Sequence, residues 1–148
     1  MARTVFFSFD YRDLWRANVV RNSGFVEAVS PVGFHDAAIW DEAKKEGKVA
    51  LKKLIDSIID STSVTVVLIG AQTANQALVS YEIERSITRG KGLFGIRIEN
   101  LKDQFGVTDA RGPDPVGLTR VGAPIYEWEY GRLGQWVELA YDQATRRS

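Results

Sequence analysis

The chain has 148 residues, 45% of them hydrophobic and 26% charged, with nineteen basic side chains balanced by nineteen acidic ones. That length predicts one domain, residues 1–148, with a substantial core, and a formal charge of zero offers no electrostatic footprint for nucleic acid or an acidic membrane. The absence of cysteine excludes a disulfide scaffold, thiol catalysis and thiolate metal sites, and a lone histidine leaves no His-cluster metal site and little room for a His-based triad.

In chain order, Val5-Phe6-Phe7-Ser8-Phe9 is predicted as a first strand. Asp10 can cap the helix that follows, whose apolar positions include Leu14, Trp15, Ala17, Val19 and Val20 and which Gly24 ends. Residues 25–32 alternate weakly and contain Pro31, which suits an edge strand or extended loop. Residues 33–46 carry His35, Asp36 and Trp40 on a predicted loop and short helix closed by Gly47. The clearest helix covers 48–61, where Leu51, Leu54, Ile55, Ile58 and Ile59 form one stripe and the lysines face away.

The stretch 63–92 organises the rest. Val64-Thr65-Val66-Val67-Leu68-Ile69 is a nearly unbroken apolar, β-branched run, the pattern of a strand covered on both faces in a parallel sheet. Polar turn residues follow (Gly70, Gln72, Thr73, Asn75), then a helix whose C-cap is predicted near Gly90. A further strand is predicted at 92–98 and a segment that is mostly loop at 99–123, and loops of that length are often functional. A late strand at 125–128 and a closing helix at 131–147 complete the chain. Strands alternating with helices imply right-handed βαβ units, hence an α/β protein with a mainly parallel central sheet between helix layers, best matched by the flavodoxin-like three-layer fold.

Helical geometry distinguishes the two carboxylates of the helix after the central strand. At roughly 100° per residue, Glu82 falls within the arc of Leu78, Val79, Ile83 and Ile87, whereas Glu84 falls on the other side with Ser80 and Tyr81. A carboxylate in an apolar arc is costly unless paired, protonated or open to a cleft. Glu82 is therefore either a border carboxylate paired with Arg85 or Lys91, or a functional group.

Neither GxGxxG after the first strand nor GxxxxGK[ST] occurs, so a dinucleotide Rossmann fingerprint or a P-loop is not expected. An acidic phosphorylation site would need an aspartate ending a central strand, where this chain has Gly70-Ala71. Phe9, Asp10, Asn75 and Glu82 all lie at strand ends or just beyond, at the carboxyl edge where open α/β sheets bind ligands. An aromatic wall and one semi-buried carboxylate suit cleavage of a glycosidic bond with a good leaving group, because the transition state has oxocarbenium character. Plain structural roles stand beside this reading: core packing for Phe9 and a helix cap for Asp10.

VFFSFDY at 5–11, VVRN at 19–22, the D-x-x-x-W of Asp36 to Trp40, SVTVVLIG at 63–70, QTAN at 72–75, YEIERSI at 81–87, GLFGIRIENLKD at 92–103 and GPDP at 112–115 together resemble a bacterial TIR-like domain. The resemblance is strongest to the TIR proteins of Thoeris anti-phage defence and spans nearly the whole chain. It implies an enzyme with NAD+ as substrate and no separate cofactor or metal. The nicotinamide–ribose bond would be cleaved, and the remainder converted into a cyclic ADP-ribose-type signal that activates a separate effector protein. The family's catalytic glutamate, which follows a tyrosine, falls on Glu82, and the resemblance adds Asp36 and Trp40 to Phe9, Asp10 and Asn75 as substrate-binding candidates. Leu78 stands where the family often has the Trp of W-x-x-x-E, and Asp10 where many relatives have His.

A phage-derived trigger and homo-oligomers are compatible with the resemblance. So is a second class of function, a non-catalytic TIR interaction module. No apolar run approaches the about 20 residues of a membrane span, and no basic segment with an apolar signal core opens the chain, so a cytoplasmic location is expected.

Overall fold

The computed structural model describes residues 3–23, 29–31 and 45–147. Strand β1 (Arg3–Phe9) leads through a 3-10 turn into helix α1 (Leu14–Arg21), and β2 (Val29–Pro31) follows. Then come α2 (Lys48–Ser61), β3 (Val64–Ile69), α3 (Ala77–Thr88), β4 (Gly92–Arg97), α4 (Val116–Arg120), β5 (Ile125–Glu127) and α5 (Leu133–Arg147). The strands form one sheet in the order β2-β1-β3-β4-β5, and every pairing is parallel. This is the flavodoxin-like order, and the parallel sheet is the one expected from the alternation of elements.

All six residues of β3 are buried, as are all six of β4, which follows from helices covering both faces of the sheet. On one face Val5 and Phe7 of β1 join Val66, Leu68, Phe94 and Ile96 against α1 and α5. Trp136 of α5 stacks on Tyr126 of β5 there, with ring centroids 4.4 Å apart. On the other face Phe6 packs on Ile55 and Ile59 of α2, while Val67 and Ile69 pack on Val79 and Ile83 of α3 and Leu118 of α4. Each such aliphatic side chain contributes about 1.5–3 kcal/mol when fully buried.

Most expected elements appear within a residue or two of their predicted limits. Helix α2 keeps its 48–61 span, with Ile55 and Ile59 at the bottom of the stripe and Lys52 and Lys53 exposed. Pro31 sits in an edge strand, where its missing N–H costs no ladder bond. The helix after the central strand closes with Gly90 at φ +66°; Gly90 N–H bonds the Ile87 carbonyl and Lys91 N–H the Ser86 carbonyl, the double bond of a Schellman end.

The 99–123 segment is mostly loop, as expected, and Leu118, fully buried against α3, draws Val116–Arg120 into a short helix within it. One expectation needs correction. Helix α1 closes at Asn22 rather than at Gly24, which lies outside the described residues, as does most of 25–46.

Candidate active site

The geometry around Glu82 begins with the loop after β3. Gly70 N–H donates to Thr73 Oγ1 at 2.7 Å, a 3-10 turn covers Thr73–Asn75, and α3 starts at Ala77. Three attachments then fix the rotation of α3. Val79 and Ile83 enter the apolar layer over β3. Ser86 Oγ lies 2.7 Å from Thr65 Oγ1 and donates to the Glu82 carbonyl at 2.8 Å. On the outer side Tyr81 Oη donates to Asp56 at 2.6 Å and Arg85 to Asp60 at 2.8 Å, tying α3 to α2.

With α3 so held, the Glu82 side chain points at β1. It is 5% exposed, and Ser8 Oγ donates to Glu82 Oε1 at 2.6 Å. Burial pushes the Glu82 carboxyl up from 4.5 to about 8; the Ser8 hydrogen bond acts in the opposite sense and is the weaker influence. The pairing with Arg85 or Lys91 weighed from sequence is not made. Arg85 bonds Asp60, and Lys91 Nζ bonds the Asp60 carbonyl. Glu84 is on the solvent side, as helix geometry predicts, paired with Arg120 of α4. Leu78 is 37% exposed rather than part of the buried arc. That arc centres on Val79, Glu82, Ile83 and Ser86, because two polar bonds to the sheet as well as apolar contacts decide which side turns inward.

The other candidates are placed differently. Asp10 is buried and caps the turn after β1: its carboxylate accepts from Arg12 N–H at 3.2 Å and from the Arg12 guanidinium at 2.7 Å. Phe9 packs with Val5 and Phe7 against the α1/α5 layer, on the opposite face of β1 from Ser8. Strand alternation puts neighbours on opposite faces, so it is Ser8, not Phe9, that meets Glu82. Asn75 stands exposed at the carboxyl edge, donating to Gln72 Oε1 at 3.4 Å. Asp36 and Trp40 lie outside the described residues.

A polar cleft of about 250 Å³ opens at the same edge between Asp10, Asp13, Arg16, Gln72 and Asp109; Glu82 is not among its walls. Arg16, almost fully buried, donates to Asp13 at 2.9 Å and to the carbonyls of Leu101 and Val107, so it rivets the long loop to α1. Burial raises the Asp13 carboxyl above the usual carboxylate range, against the lowering effect of Arg16.

Sequence reasoning missed two features. One is Ser8, detectable as a hydroxyl within the apolar run Val5–Phe9. The other is the buried pair of Arg97 and Glu99 at 2.7 Å. Glu99 also accepts from Gly112 N–H at 2.8 Å, and Arg97 bonds the Gly112 carbonyl and Asp114. Gly112 lies so close to the Gly70 and Ala71 carbonyls that a Cβ would overlap them. The GPDP segment is thereby held over the end of β3, and its signal was an arginine closing a central apolar strand.

An all-parallel 2-1-3-4-5 sheet between helix layers, with a buried glutamate facing the first strand from the helix after the central one, defines a flavodoxin-like protein of the TIR-like class. The family model described as "Thoeris protein ThsB, TIR-like domain" matches residues 6–103, from β1 through the residues just after β4. A Bacillus cereus (strain MSX-D12) protein, "Putative cyclic ADP-D-ribose synthase ThsB1", is 41% identical over 150 residues, covering 95% of this chain and 78% of that protein. The chain belongs to the ThsB family of Thoeris TIR-like proteins.

Proposed function

We propose that this chain is an NAD-processing TIR enzyme that breaks the nicotinamide–ribose bond of NAD+ and forms a cyclic ADP-ribose-type signal nucleotide. The observation that carries the reading is Glu82, a buried carboxyl held against β1 by a 2.6 Å hydrogen bond. The name of the 41% identical relative, a cyclic ADP-D-ribose synthase, gives the product class.

The chemistry needs little more from the protein than one negative charge in a dry place. As the bond from ribose C1′ to the pyridinium nitrogen breaks, both electrons go to the ring and nicotinamide leaves neutral. The positive charge passes to the ribose, which gains oxocarbenium character. An ionised Glu82 opposes that charge in a low-dielectric site, where the attraction is worth far more than in water. Before substrate binds, burial holds Glu82 largely protonated at neutral pH. A cationic substrate shifts the balance toward the carboxylate, so the charge is present when it is needed. A nitrogen or hydroxyl oxygen of the ADP-ribose remainder then bonds to ribose C1′, and one proton passes from the remainder to solvent as the ring closes.

Activation of a separate effector by the product, an infection-derived trigger and self-association complete the proposal. A scaffold-only TIR module is disfavoured by the same glutamate. A desolvated carboxyl costs stability, and docking to other TIR domains offers nothing to offset it.

The test is nicotinamide release from NAD+ by the purified protein, supplied with extract of phage-infected cells as a source of trigger, with mass spectrometry of the nucleotide product. The parent should give nicotinamide and a cyclic product, and Glu82→Gln, shown by circular dichroism to be folded, neither. A folded Gln variant as fast as the parent overturns the catalytic role of Glu82.

A further inference from the structure

We infer that Ser8 is the positioning residue for the Glu82 carboxylate, a fixed hydroxyl donor built into β1 that orients Oε1 and favours its ionised form. This rests on the proposed catalytic role of Glu82.

Ser8 is fully buried in a strand otherwise made of Val, Phe and Thr between Thr4 and Phe9. Alternation puts it on the same face as Phe6, which packs on α2, while Ser8 lies one step closer to the carboxyl edge. A hydroxyl there would be costly without a partner, and a Val or Ala would serve the core equally well. Its partner is Glu82 Oε1 at 2.6 Å, the short distance of a hydrogen bond to a carboxyl oxygen. The donor is held by the sheet: Ser8 is in register with Val67 of β3, in a run of pairs from Val5 to Phe9. The acceptor is held as firmly, since the Thr65–Ser86 bond pins the next turn of α3 to the sheet.

The charged groups on the surrounding elements are engaged elsewhere. Asp56 and Asp60 of α2 bond Tyr81 and Arg85, Lys52 lies over the Tyr81 ring, Glu84 pairs with Arg120, and Asp10 pairs with Arg12. Strand β3 presents Thr65, Val67 and Ile69 to α3, none of them charged. Among the described residues Ser8 is therefore the group that opposes the effect of burial on Glu82.

A hydrogen bond to a charged group is worth about one to two pKa units, or roughly 10–100-fold in the ionised fraction below the midpoint. In Ser8→Ala the midpoint of the pH profile of kcat/KM for NAD+ should move up by that amount. At pH 7 kcat/KM should fall about 10–100-fold, and much of the loss should return at high pH. Ser8→Cys offers only a weak donor and should behave like Ser8→Ala, whereas Ser8→Thr keeps the hydroxyl and should retain the parent profile. Infrared titration of the Glu82 carboxyl, identified by difference against Glu82→Gln, should show the same upward move in the Ala and Cys variants without any turnover.

Folded Ala and Cys variants whose activity midpoint and carboxyl titration both match the parent overturn the inference. So does a loss that is equal at every pH, which would mark Ser8 as packing alone. The two failures are separable. An active Glu82→Gln defeats the catalytic reading and leaves the carboxyl titration to judge Ser8. An inactive Glu82→Gln with unmoved Ser8 profiles defeats only the role of Ser8.

Discussion

Replacing Glu82 by Gln should abolish turnover and should shift stability relative to the parent in the variant's favour as pH rises. The carboxyl titrates at 4.5 in an ordinary setting and at about 8 in the fold. A folded-state value raised in this way gives stability that is fully present below 4.5 and lost as pH rises through 8, because folding must then either protonate the group or bury its charge. Linkage puts the resulting penalty at about 1 kcal/mol at pH 5 and about 3 kcal/mol at pH 7. The Gln variant has no such penalty. Its amide oxygen can still accept from Ser8, but its N–H groups enter a site built for a carboxyl, costing about 1–3 kcal/mol at every pH. The sign of the difference at one pH is therefore a close contest, whereas its slope is not. For a chain of this size about 2 kcal/mol corresponds to roughly 4–8 °C. Thermal denaturation at pH 5 and pH 7 should show Tm of Glu82→Gln rising relative to the parent by that margin. A gap that stays constant between the two pH values would refute the desolvated, proton-holding Glu82 on which the argument depends.

Other expectations follow from neighbouring contacts. For the parent, kcat/KM with NAD+ should climb with pH and level off above about 8, since that profile reports the free enzyme's carboxyl; a flat profile from pH 6 to 9 would contradict it. Glu84→Gln removes an exposed pairing with Arg120 and should change nicotinamide release less than about twofold, with Tm altered by no more than about 1 kcal/mol equivalent. A dead Glu84 variant would mean the wrong carboxylate was chosen. Arg97→Met strips Glu99 of its buried cation and should cost about 3–5 kcal/mol in urea denaturation. Arg97→Met combined with Glu99→Gln should recover part of that loss, and a double variant no more stable than the single one would show that the pair is not acting as a unit.

Much of the architecture was determined by local pattern. A continuous β-branched run at 64–69 can be stable only where both faces are covered, and the stripe of Leu51, Ile55 and Ile59 reads as one helical face, so layer order and the central strand were legible. The same periodicity separated Glu82 from Glu84. It did not reveal what Glu82 touches. Ser8 lies 74 positions away, and their contact exists only because β1 lies beside β3 and α3 crosses back over both. Nor could pattern alone rotate α3 finely enough to expose Leu78, since the bonds from Ser86 to Thr65 and from Glu82 to Ser8 are long-range. Arg97 and Glu99 likewise read as ordinary charges at a strand end until the GPDP loop folds back on them. The chain's local pattern thus determined which carboxyl was out of place. Only the tertiary structure decided that it is buried, what donates to it, and why its proton is held to about pH 8, because desolvation depends on everything packed around a group and not on its neighbours in sequence.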